Sequence, residues 1–366
     1  MSAPIPVLTL APVPGSTAAP ETGVLQFQLL KKIGVGEGRN STVHLGRDLQ
    51  LESTLVYKCI PTSKFPDAGK YFEEARRLHE ARHRHVVPVR YACEGGGNIY
   101  LAMPHYTRGS LQKLLETRNL TVREIVKIGL GFLMGLHHAH VCGLIHFDIK
   151  PTNVLLDESG AAALADFGLS RKVDGLGLAD QPHHYATHAV PERDISNTLS
   201  KAADVYQAGL TLYRMCVGEP EWQRQVASFG KFGGSKFGDA IRLGKFPDRS
   251  AFPLHIPEPL RRLIRRSLQI NPDKRTATVL DLMTELAGVQ TRLDWSWVDH
   301  GSGGQQWTIQ RTLCVNRVEL TEVQGKWNAE LYRIGKKSQR LNKVCIAGVS
   351  EAVAKQHIGK LLGREE

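Results

Sequence analysis

The sequence predicts an α+β protein with a small β-rich N-terminal lobe, a larger helical lobe and a small C-terminal β-then-α module. Alternating apolar residues from Leu25, interrupted by Gly36 and Gly38, indicate a strand, a turn and a second strand. Helical periodicity dominates from Thr121 onward. After about residue 293, strand-like runs return and end in one helix.

Each predicted element has a local signal. Thr121, with Glu124 three residues later, forms a capping box that opens a long helix ending near Val141. A shorter helix is predicted over 67–82, and Leu101 to Met103 is typical of a buried strand. The remaining helices of the large lobe are predicted at 200–217, 257–269 and 278–291.

The C-terminal module begins after a glycine-rich break at 301–304. Ser350 can cap its last helix. The predicted strands cover 306–313, 315–320, 326–334 and 343–347, and the apolar side of the helix consists of Ala354, Ile358, Leu361 and Leu362. We therefore expect a flexible tail at 1–23, a main domain at 24–291, a linker at 292–304 and a module at 305–366.

Composition limits the class of protein. Hydrophobic residues make up 42% and charged residues 23% of the 366 residues, which excludes a fibrous or wholly disordered chain. The net charge of +11 is compatible with an acidic partner, a nucleic acid or an anionic membrane surface, but the charge is too evenly spread to choose one. Six cysteines without a CxxC pair favour a reducing compartment. With no signal peptide and no membrane-spanning run, we expect a cytoplasmic protein.

A glycine-rich turn precedes an unusual lysine. Gly36 and Gly38 between two strands would let the backbone approach a phosphate, although taken alone the glycines favour an ordinary hairpin. Lys58 ends an apolar strand, where an ammonium group needs an acidic partner or a ligand. Glu74 on the next helix could be that partner, and the two residues alone would indicate a structural ion pair.

The most informative stretch runs from Ile145 to Gly168. It places Asp148, Lys150, Asn153 and Asp166 on two loops beside a predicted hairpin of 154–156 with 162–165. These groups could bind a divalent cation through hard oxygen ligands and leave one carboxylate free as a base.

With these motifs in order, the chain resembles the eukaryotic-like (Hanks-type) Ser/Thr protein kinase family from about Phe27 to Gly288. The resemblance implies a two-lobed protein-kinase fold that transfers the γ-phosphoryl group of Mg-ATP, or Mn-ATP, to Ser/Thr hydroxyls of protein substrates and of itself. Two alternatives are an ATP-binding pseudokinase or scaffold, and a kinase-fold phosphotransferase that acts on a non-protein hydroxyl.

The resemblance also implies roles for single residues. In the catalytic set, Asp148 is the base, Lys150 neutralises the γ-phosphate, and Lys58, paired with Glu74, holds the α- and β-phosphates. Asn153 and Asp166 are the magnesium ligands. The implied nucleotide-binding residues are Val35, Gly36, Gly38 and Ser41 in the glycine-rich loop, Val43, Val56 and Leu155 around the adenine, Lys58 at the phosphates, Met103 as gatekeeper, and the hinge backbone at 104–106, which includes Tyr106.

Three supporting residues lie outside this set. Glu192 in Val190-Pro191-Glu192 resembles the end of the family's activation segment, and Arg275 resembles its buried ion-pair partner. Asp204 matches the helix residue that supports the catalytic loop.

The sequence departs from the family at two places. Phe147 replaces the arginine that meets a phosphate on the activation segment, so we predict activity without phosphorylation there. Tyr185 stands where a threonine is usual, and Thr187 follows two residues later.

The histidines allow more than one interpretation. His137, His138, His140 and His146 could form a metal site, but core packing or support of the catalytic loop is the favoured interpretation. His183 and His184 are expected to be solvated loop residues.

The C-terminal module carries a basic cluster. Its last helix faintly resembles that of double-stranded-RNA-binding domains, which would imply nucleic-acid binding, whereas a solvated basic face on a docking module is favoured. The cluster consists of Lys336, Lys337, Arg340 and Lys343, with Lys355 and Lys360 on the helix.

Overall fold

The computed structural model describes residues 7–9, 22–34, 41–65, 70–180, 188–194, 196–230, 234–301 and 304–363. Several predicted features therefore lie outside the described residues: Val35, Gly36 and Gly38 of the glycine-rich turn, and His183, His184, Tyr185 and Thr187.

The N-terminal lobe is a five-stranded antiparallel sheet with one helix. Its strands follow the order β3-β4-β5-β7-β6, and a short hairpin, β1 with β2, precedes them. The elements are β1 (Val7–Thr9), β2 (Thr22–Val24), β3 (Phe27–Ile33), β4 (Thr42–Asp48), β5 (Ser53–Pro61), α1 (Glu73–Glu80), β6 (Tyr91–Gly95) and β7 (Asn98–Pro104). The predicted strand, turn and strand from Leu25 correspond to β3 and β4.

Two features of this lobe were not expected from the sequence. β1 lies in the segment predicted as a flexible tail and pairs with β2, which ends just after that segment, in an antiparallel register. The helix predicted over 67–82 is shorter, because Phe72 occupies its N-cap position and offers no side-chain cap.

The larger lobe is mainly helical, and its six short strands form three antiparallel pairs, β8 with β11, β9 with β10 and β12 with β13. The helices are α2 (Leu111–Thr117), α3 (Val122–Val141), α4 (Ala202–Val217), α5 (Glu219–Ser228), α6 (Ser235–Arg242), α7 (Glu258–Ser267) and α8 (Val279–Ala287). The strands are β8 (Leu144–Ile145), β9 (Val154–Leu156), β10 (Ala162–Leu164), β11 (Arg171–Lys172), β12 (Leu178–Asp180) and β13 (Thr198–Ser200). The capping box at Thr121 and Glu124 opens α3 as predicted, and β9 pairs with β10 as the predicted hairpin.

The C-terminal segment forms a six-stranded antiparallel sheet covered by one helix. Its strands follow the order β14-β15-β16-β17-β18, and β19 also pairs with β17. The elements are β14 (Ser296–Asp299), β15 (Gln305–Gln310), β16 (Val315–Val323), β17 (Lys326–Ile334), β18 (Ser338–Arg340), β19 (Ile346–Val349) and α9 (Glu351–Leu362). Ser350 caps α9, and the four predicted apolar residues of this helix are buried.

The predicted linker at 292–304 is structured in part. β14 lies within it and pairs with β15, and Trp295 and Trp297 are buried in the core of the C-terminal module. Sequence reasoning missed this strand because the glycines at 301–304 suggested an earlier and longer break.

The C-terminal module packs against the large lobe. Leu254 of that lobe contacts the module core, and the Trp307 indole N–H donates to Nδ1 of the buried His255 at 3.3 Å. Asn119 Nδ2 also donates to the Trp297 carbonyl oxygen at 3.2 Å. These contacts lie at the α3 N-terminus and the loop before α7.

All six cysteines lie within the described residues, and their thiols are free. Among the helices that the structure describes, none combines the length and the apolar character needed to cross a bilayer.

Candidate active site

Lys58 joins the two lobes through two carboxylates. Its Nζ lies 2.7 Å from Glu74 Oε1 on α1 and 2.8 Å from Asp166 Oδ1, which follows the β9–β10 hairpin. The predicted partner of Lys58 is therefore in place, and Asp166 is a second one. Burial disfavours the ammonium form, but the carboxylates of Asp166 and Glu74 outweigh this effect and raise the pKa of Lys58.

Asp166 remains ionised in this environment. Burial would raise its pKa, but the charge and hydrogen bond of Lys58 outweigh burial, and the pKa of Asp166 is lowered to about 2. Its side chain is 37% exposed, so part of the carboxylate faces the cleft. The backbone of Asp166 has φ 64°, a left-handed conformation that costs about 1 kcal/mol or more outside glycine.

A second group of polar side chains surrounds Asp148. Lys150 Nζ lies 2.8 Å from Asp148 Oδ2, and Asn153 Nδ2 donates to the same oxygen at 2.8 Å and to the Asp148 carbonyl at 2.8 Å. Because Asn153 donates through its amide nitrogen, its oxygen Oδ1 points away from Asp148. The neutral Oδ1 of Asn153 is therefore available as a metal ligand beside the fixed carboxylate of Asp148.

The backbone before Asp148 is fixed by a buried aspartate on α4. Asp204 accepts from the backbone N–H groups of His146 and Phe147, each at 2.8 Å. His140 Nε2 lies 2.7 Å from the same carboxylate. The supporting contacts predicted for Asp204 are thus present, and His140 contributes to them.

Gln207 is a supporting residue that sequence reasoning missed. Its amide donates to the carbonyls of Phe147 and His188, both at 2.9 Å, and its Oε1 accepts from the Ile149 N–H at 3.0 Å. Its spacing of three residues from Asp204 places both on one face of α4, which is the signal that could have identified it.

His146 is a neutral positioning group. Burial lowers its pKa, against the opposing charge of Asp204. Its Nδ1 accepts from the Asp148 N–H at 3.2 Å, and Nε2 lies 3.1 Å from the Ala165 carbonyl. This arrangement fits the neutral tautomer with its proton on Nε2.

The predicted adenine-binding residues line an apolar region beside these polar groups. Met103, Tyr106 and Leu155 pack against one buried cluster of Val87, Ala163 and Ala165. Val56 pairs with Met103 across β5 and β7, Val43 pairs with Lys58 across β4 and β5, and Ser41 directly precedes β4. The structure thus brings together the predicted nucleotide-binding residues that it describes.

Arg275 anchors the segment that follows the cleft. Its guanidinium donates to both carboxylate oxygens of Glu192, at 2.7 and 2.5 Å, and its side chain is fully buried. Arg275 also donates to the carbonyls of Ala202 and Gln269, each at 2.8 Å. The predicted ion pair is therefore present.

Phe147, which stands where the family that this chain resembles usually has an arginine, is a core residue. The ring is buried in the main core, and its backbone has φ 65°. The two cations next along the segment are engaged elsewhere: Lys172 lies 2.9 Å from Glu80, and Arg171 donates to the carbonyls of Leu169 and Ser170.

His138, one of the predicted histidine group, stacks on His83, which lies outside that group. His83 and His138 have ring centroids 5.0 Å apart and nearly parallel planes, and Cys142 Sγ lies 3.6 Å from His138 Nε2. Within the described ranges, no group of three or more His, Cys, Asp or Glu side chains is arranged to hold a metal ion.

Asn153 and Asp166 offer oxygen donors that fit a hard cation. Two protein ligands leave most of the coordination shell of a metal ion open. This suits Mg²⁺, because this ion keeps waters and substrate phosphates among its ligands. The chemistry of the donor set is thus compatible with a metal ion bound together with a nucleotide.

Comparison with known proteins finds serine/threonine-protein kinases that are similar to parts of this chain. The serine/threonine-protein kinase RUNKEL of Arabidopsis thaliana is 30% identical over 193 residues, or 51% of this chain and 14% of the relative. The serine/threonine-protein kinase PknK of Mycobacterium tuberculosis is 27% identical over 267 residues, or 70% of this chain and 23% of the relative. PknL of the same organism is 29% identical over 204 residues, or 54% of this chain and 51% of the relative.

The chain therefore spans between about one seventh and about half of the length of these relatives. The family described as "Protein kinase domain" matches residues 27–286, which is more than two thirds of the chain. This chain belongs to the protein kinase family.

Proposed function

We propose that this protein is a Ser/Thr protein kinase that transfers the γ-phosphoryl group of ATP to hydroxyl groups of protein substrates. The observation that carries the proposal is that Lys58, Asp148, Asn153 and Asp166 lie close together beside a buried apolar cluster. Lys150, which is typical of Ser/Thr rather than Tyr kinases, favours a Ser or Thr acceptor.

In this proposal Asp148 accepts the proton of the substrate hydroxyl. The hydroxyl oxygen forms the new bond to the γ-phosphorus, and the bond from that phosphorus to the β,γ-bridging oxygen breaks, releasing ADP. Lys58, held by Glu74, binds the α- and β-phosphates, and Lys150 neutralises charge on the transferred group. Positioning and charge stabilisation supply most of the rate enhancement in such reactions.

Asn153 and Asp166 would hold magnesium, with manganese as a substitute. The bound ion would offset the negative charge of the β- and γ-phosphates. We expect Asp166→Ala to weaken binding of Mg-ATP because it removes an ionised ligand. Unchanged affinity in a calorimetric titration would contradict this role.

A labelled-ATP assay distinguishes the proposal from its two alternatives. The full chain is incubated with γ-labelled ATP, magnesium and either a mixture of basic proteins or a set of small hydroxyl compounds. We expect label on Ser and Thr of the proteins or of the chain itself. ATP binding without transfer would indicate a pseudokinase, and label only on small molecules would indicate a different acceptor.

We further propose a cytoplasmic location, which the six free thiols support. We also propose that residues 305–366 dock a protein partner. Arg340 of the predicted basic cluster lies 2.6 Å from Glu330, and Arg317 lies 2.8 Å from Glu319 on the same sheet face. This balance of charges supports a protein partner over a nucleic acid. Salt-sensitive gel shifts with duplex RNA or DNA would contradict it.

A further inference from the structure

A cleft of about 500 Å³ lies at the junction of the large lobe and the C-terminal module, away from the nucleotide cleft. Its lining comes from both units: Arg123 lies on α3 of the large lobe, Arg292 lies between the two units, and Ile309 and Arg311 belong to the C-terminal module. The volume lies in the range of small-molecule sites in proteins.

The charge of this lining is unbalanced. It contains three guanidinium groups, from Arg123, Arg292 and Arg311, and one carboxylate, from Asp294. Asp294 is bound by Arg123 at 2.5 and 2.8 Å. The hydrogen bond from Arg123 lowers the pKa of Asp294, and the charge of Arg311 contributes to the same shift. The two remaining arginines therefore have no carboxylate of their own within the lining.

The two remaining arginines differ in what they bind. Arg292 donates to the carbonyls of Leu254 and Gly359, both at 2.7 Å, so it joins the lobe to the module while keeping its charge. Arg311 Nε is buried and has no hydrogen-bond partner among the described residues. That N–H is closed to the cleft, but Arg311 lines the cleft and its side chain donates no hydrogen bond to any described residue. Its terminal N–H groups would therefore pair with an anion bound there.

The rest of the cleft is partly apolar. Trp295 and Ile309, which belong to the module core, contribute to its walls. We propose that this junction cleft binds a small organic anion, with its phosphate or carboxylate at Arg311 and Arg292 and its apolar body against Trp295 and Ile309. This site is independent of the proposed transfer reaction. Because both units line it, a bound anion stabilises their docked arrangement.

The test uses the full chain and calorimetric titration with phenyl phosphate, benzoate and the neutral benzyl alcohol. We expect the two anions to bind and the alcohol not to bind, and the tighter of the two anions identifies the head group. Binding should weaken as ionic strength rises. Failure of both anions to bind at millimolar concentration would overturn the proposal, and so would equal binding of the alcohol.

Substitutions locate the binding. Arg311→Gln should weaken the anion by about tenfold, the usual effect of losing one charge-assisted hydrogen bond. Asp294→Asn should strengthen it, because the competing carboxylate loses its charge. Arg333→Gln, which removes an exposed arginine from the same sheet, is the matched control and should leave affinity unchanged. These opposite signs keep the test decisive even if one variant folds poorly.

The nucleotide cleft is the main competing location for phenyl phosphate. If Lys58→Met abolishes binding while Arg311→Gln leaves it unchanged, the anion sits at the nucleotide phosphates and the proposed site is wrong. The expected result is the reverse: binding persists in Lys58→Met and falls in Arg311→Gln.

Discussion

Phe147 shows how one residue can change regulation while preserving the geometry of a catalytic loop. Its N–H is held by Asp204 and its carbonyl by Gln207, so the backbone before Asp148 is fixed from two sides. The side chain packs in the core instead of presenting a cation. The Phe147 side chain offers no cation that could bind a phosphate on the activation segment.

The proposed kinase activity is therefore expected without prior phosphorylation of the chain. Complete dephosphorylation by a phosphatase, verified by mass spectrometry, should change the rate of labelled-phosphate transfer by less than about tenfold. A larger fall, which is a loss of more than about 1.4 kcal/mol of transition-state stabilisation, would mean that another cation binds a phosphate. Arg171 and Lys172 would be the first candidates, because both follow the cleft directly.

At the scale of single residues, the sequence predicted the proposed catalytic residues better than the residues that hold them in place. The pairing of Lys58 with Glu74 could be predicted because an ammonium group inside an apolar strand needs an acidic partner, and the resemblance to protein kinases implied the roles of Asp148 and Asp166. The second contact of Lys58, to Asp166, depends on how the β9–β10 hairpin packs, and for Gln207 the sequence offers only its spacing of three residues from Asp204. Such packing is not encoded in a local pattern.

Helices with strong end signals were the elements best predicted from sequence. The capping boxes at Thr121 and Thr278 define the starts of α3 and α8. In contrast, α5 and α6 were missed, since glycine and proline at their ends resemble loop signals. β14 was missed for a similar reason, and only its pairing with β15 reveals it as a strand.

The ion pair between Arg275 and Glu192 is the contact that fixes the segment after the cleft. Arg275→Ala would remove a fully buried guanidinium and leave the largely buried carboxylate of Glu192 without its partner, and breaking such a pair typically costs about 3 to 5 kcal/mol. We expect a loss of this size in the free energy of unfolding, measured by urea denaturation.

The matched control is Arg242→Ala, which breaks the exposed pair with Asp239. Exposed pairs contribute about 0 to 1 kcal/mol, so this variant should remain close to the parent protein. Equal losses in the two variants would show that burial of the Arg275 pair is unimportant.

On the scale of the whole molecule, the C-terminal module is bound to the large lobe, while every proposed catalytic residue precedes it. A chain ending at Thr291 should therefore keep ATP-dependent transfer. It should also lose about 1 kcal/mol of stability, because the partly buried contact of Leu254 with the module is removed. A well-folded but inactive truncated chain would mean that the module contributes to the active site.

His255 makes this junction sensitive to acid. Burial lowers the pKa of His255 to about 3, assisted by the charges of Arg261 and Arg292. Between its ordinary pKa of 6.5 and about 3, the unfolded chain binds a proton that the folded chain excludes, so stability falls as pH falls.

His255→Gln, which cannot take up this proton, should reduce that loss by about 2 kcal/mol at pH 5 relative to neutral pH. The measurement is the urea-unfolding free energy at both pH values. His300→Gln, at an exposed position, is the control and should match the parent protein. Identical pH dependence in parent and His255→Gln would rule out a buried neutral His255.

The transfer rate of Asp148→Asn is the most direct test of the proposed kinase activity. With labelled ATP, magnesium and a protein acceptor, this variant should lose about 10²- to 10⁴-fold in transfer, as expected for removal of a general base. Its Mg-ATP affinity should stay unchanged, and Glu158→Gln, an exposed carboxylate in the same lobe, should transfer at the parent rate. Transfer by Asp148→Asn at close to the parent rate would contradict the assignment of Asp148 as the base and the mechanism built on it.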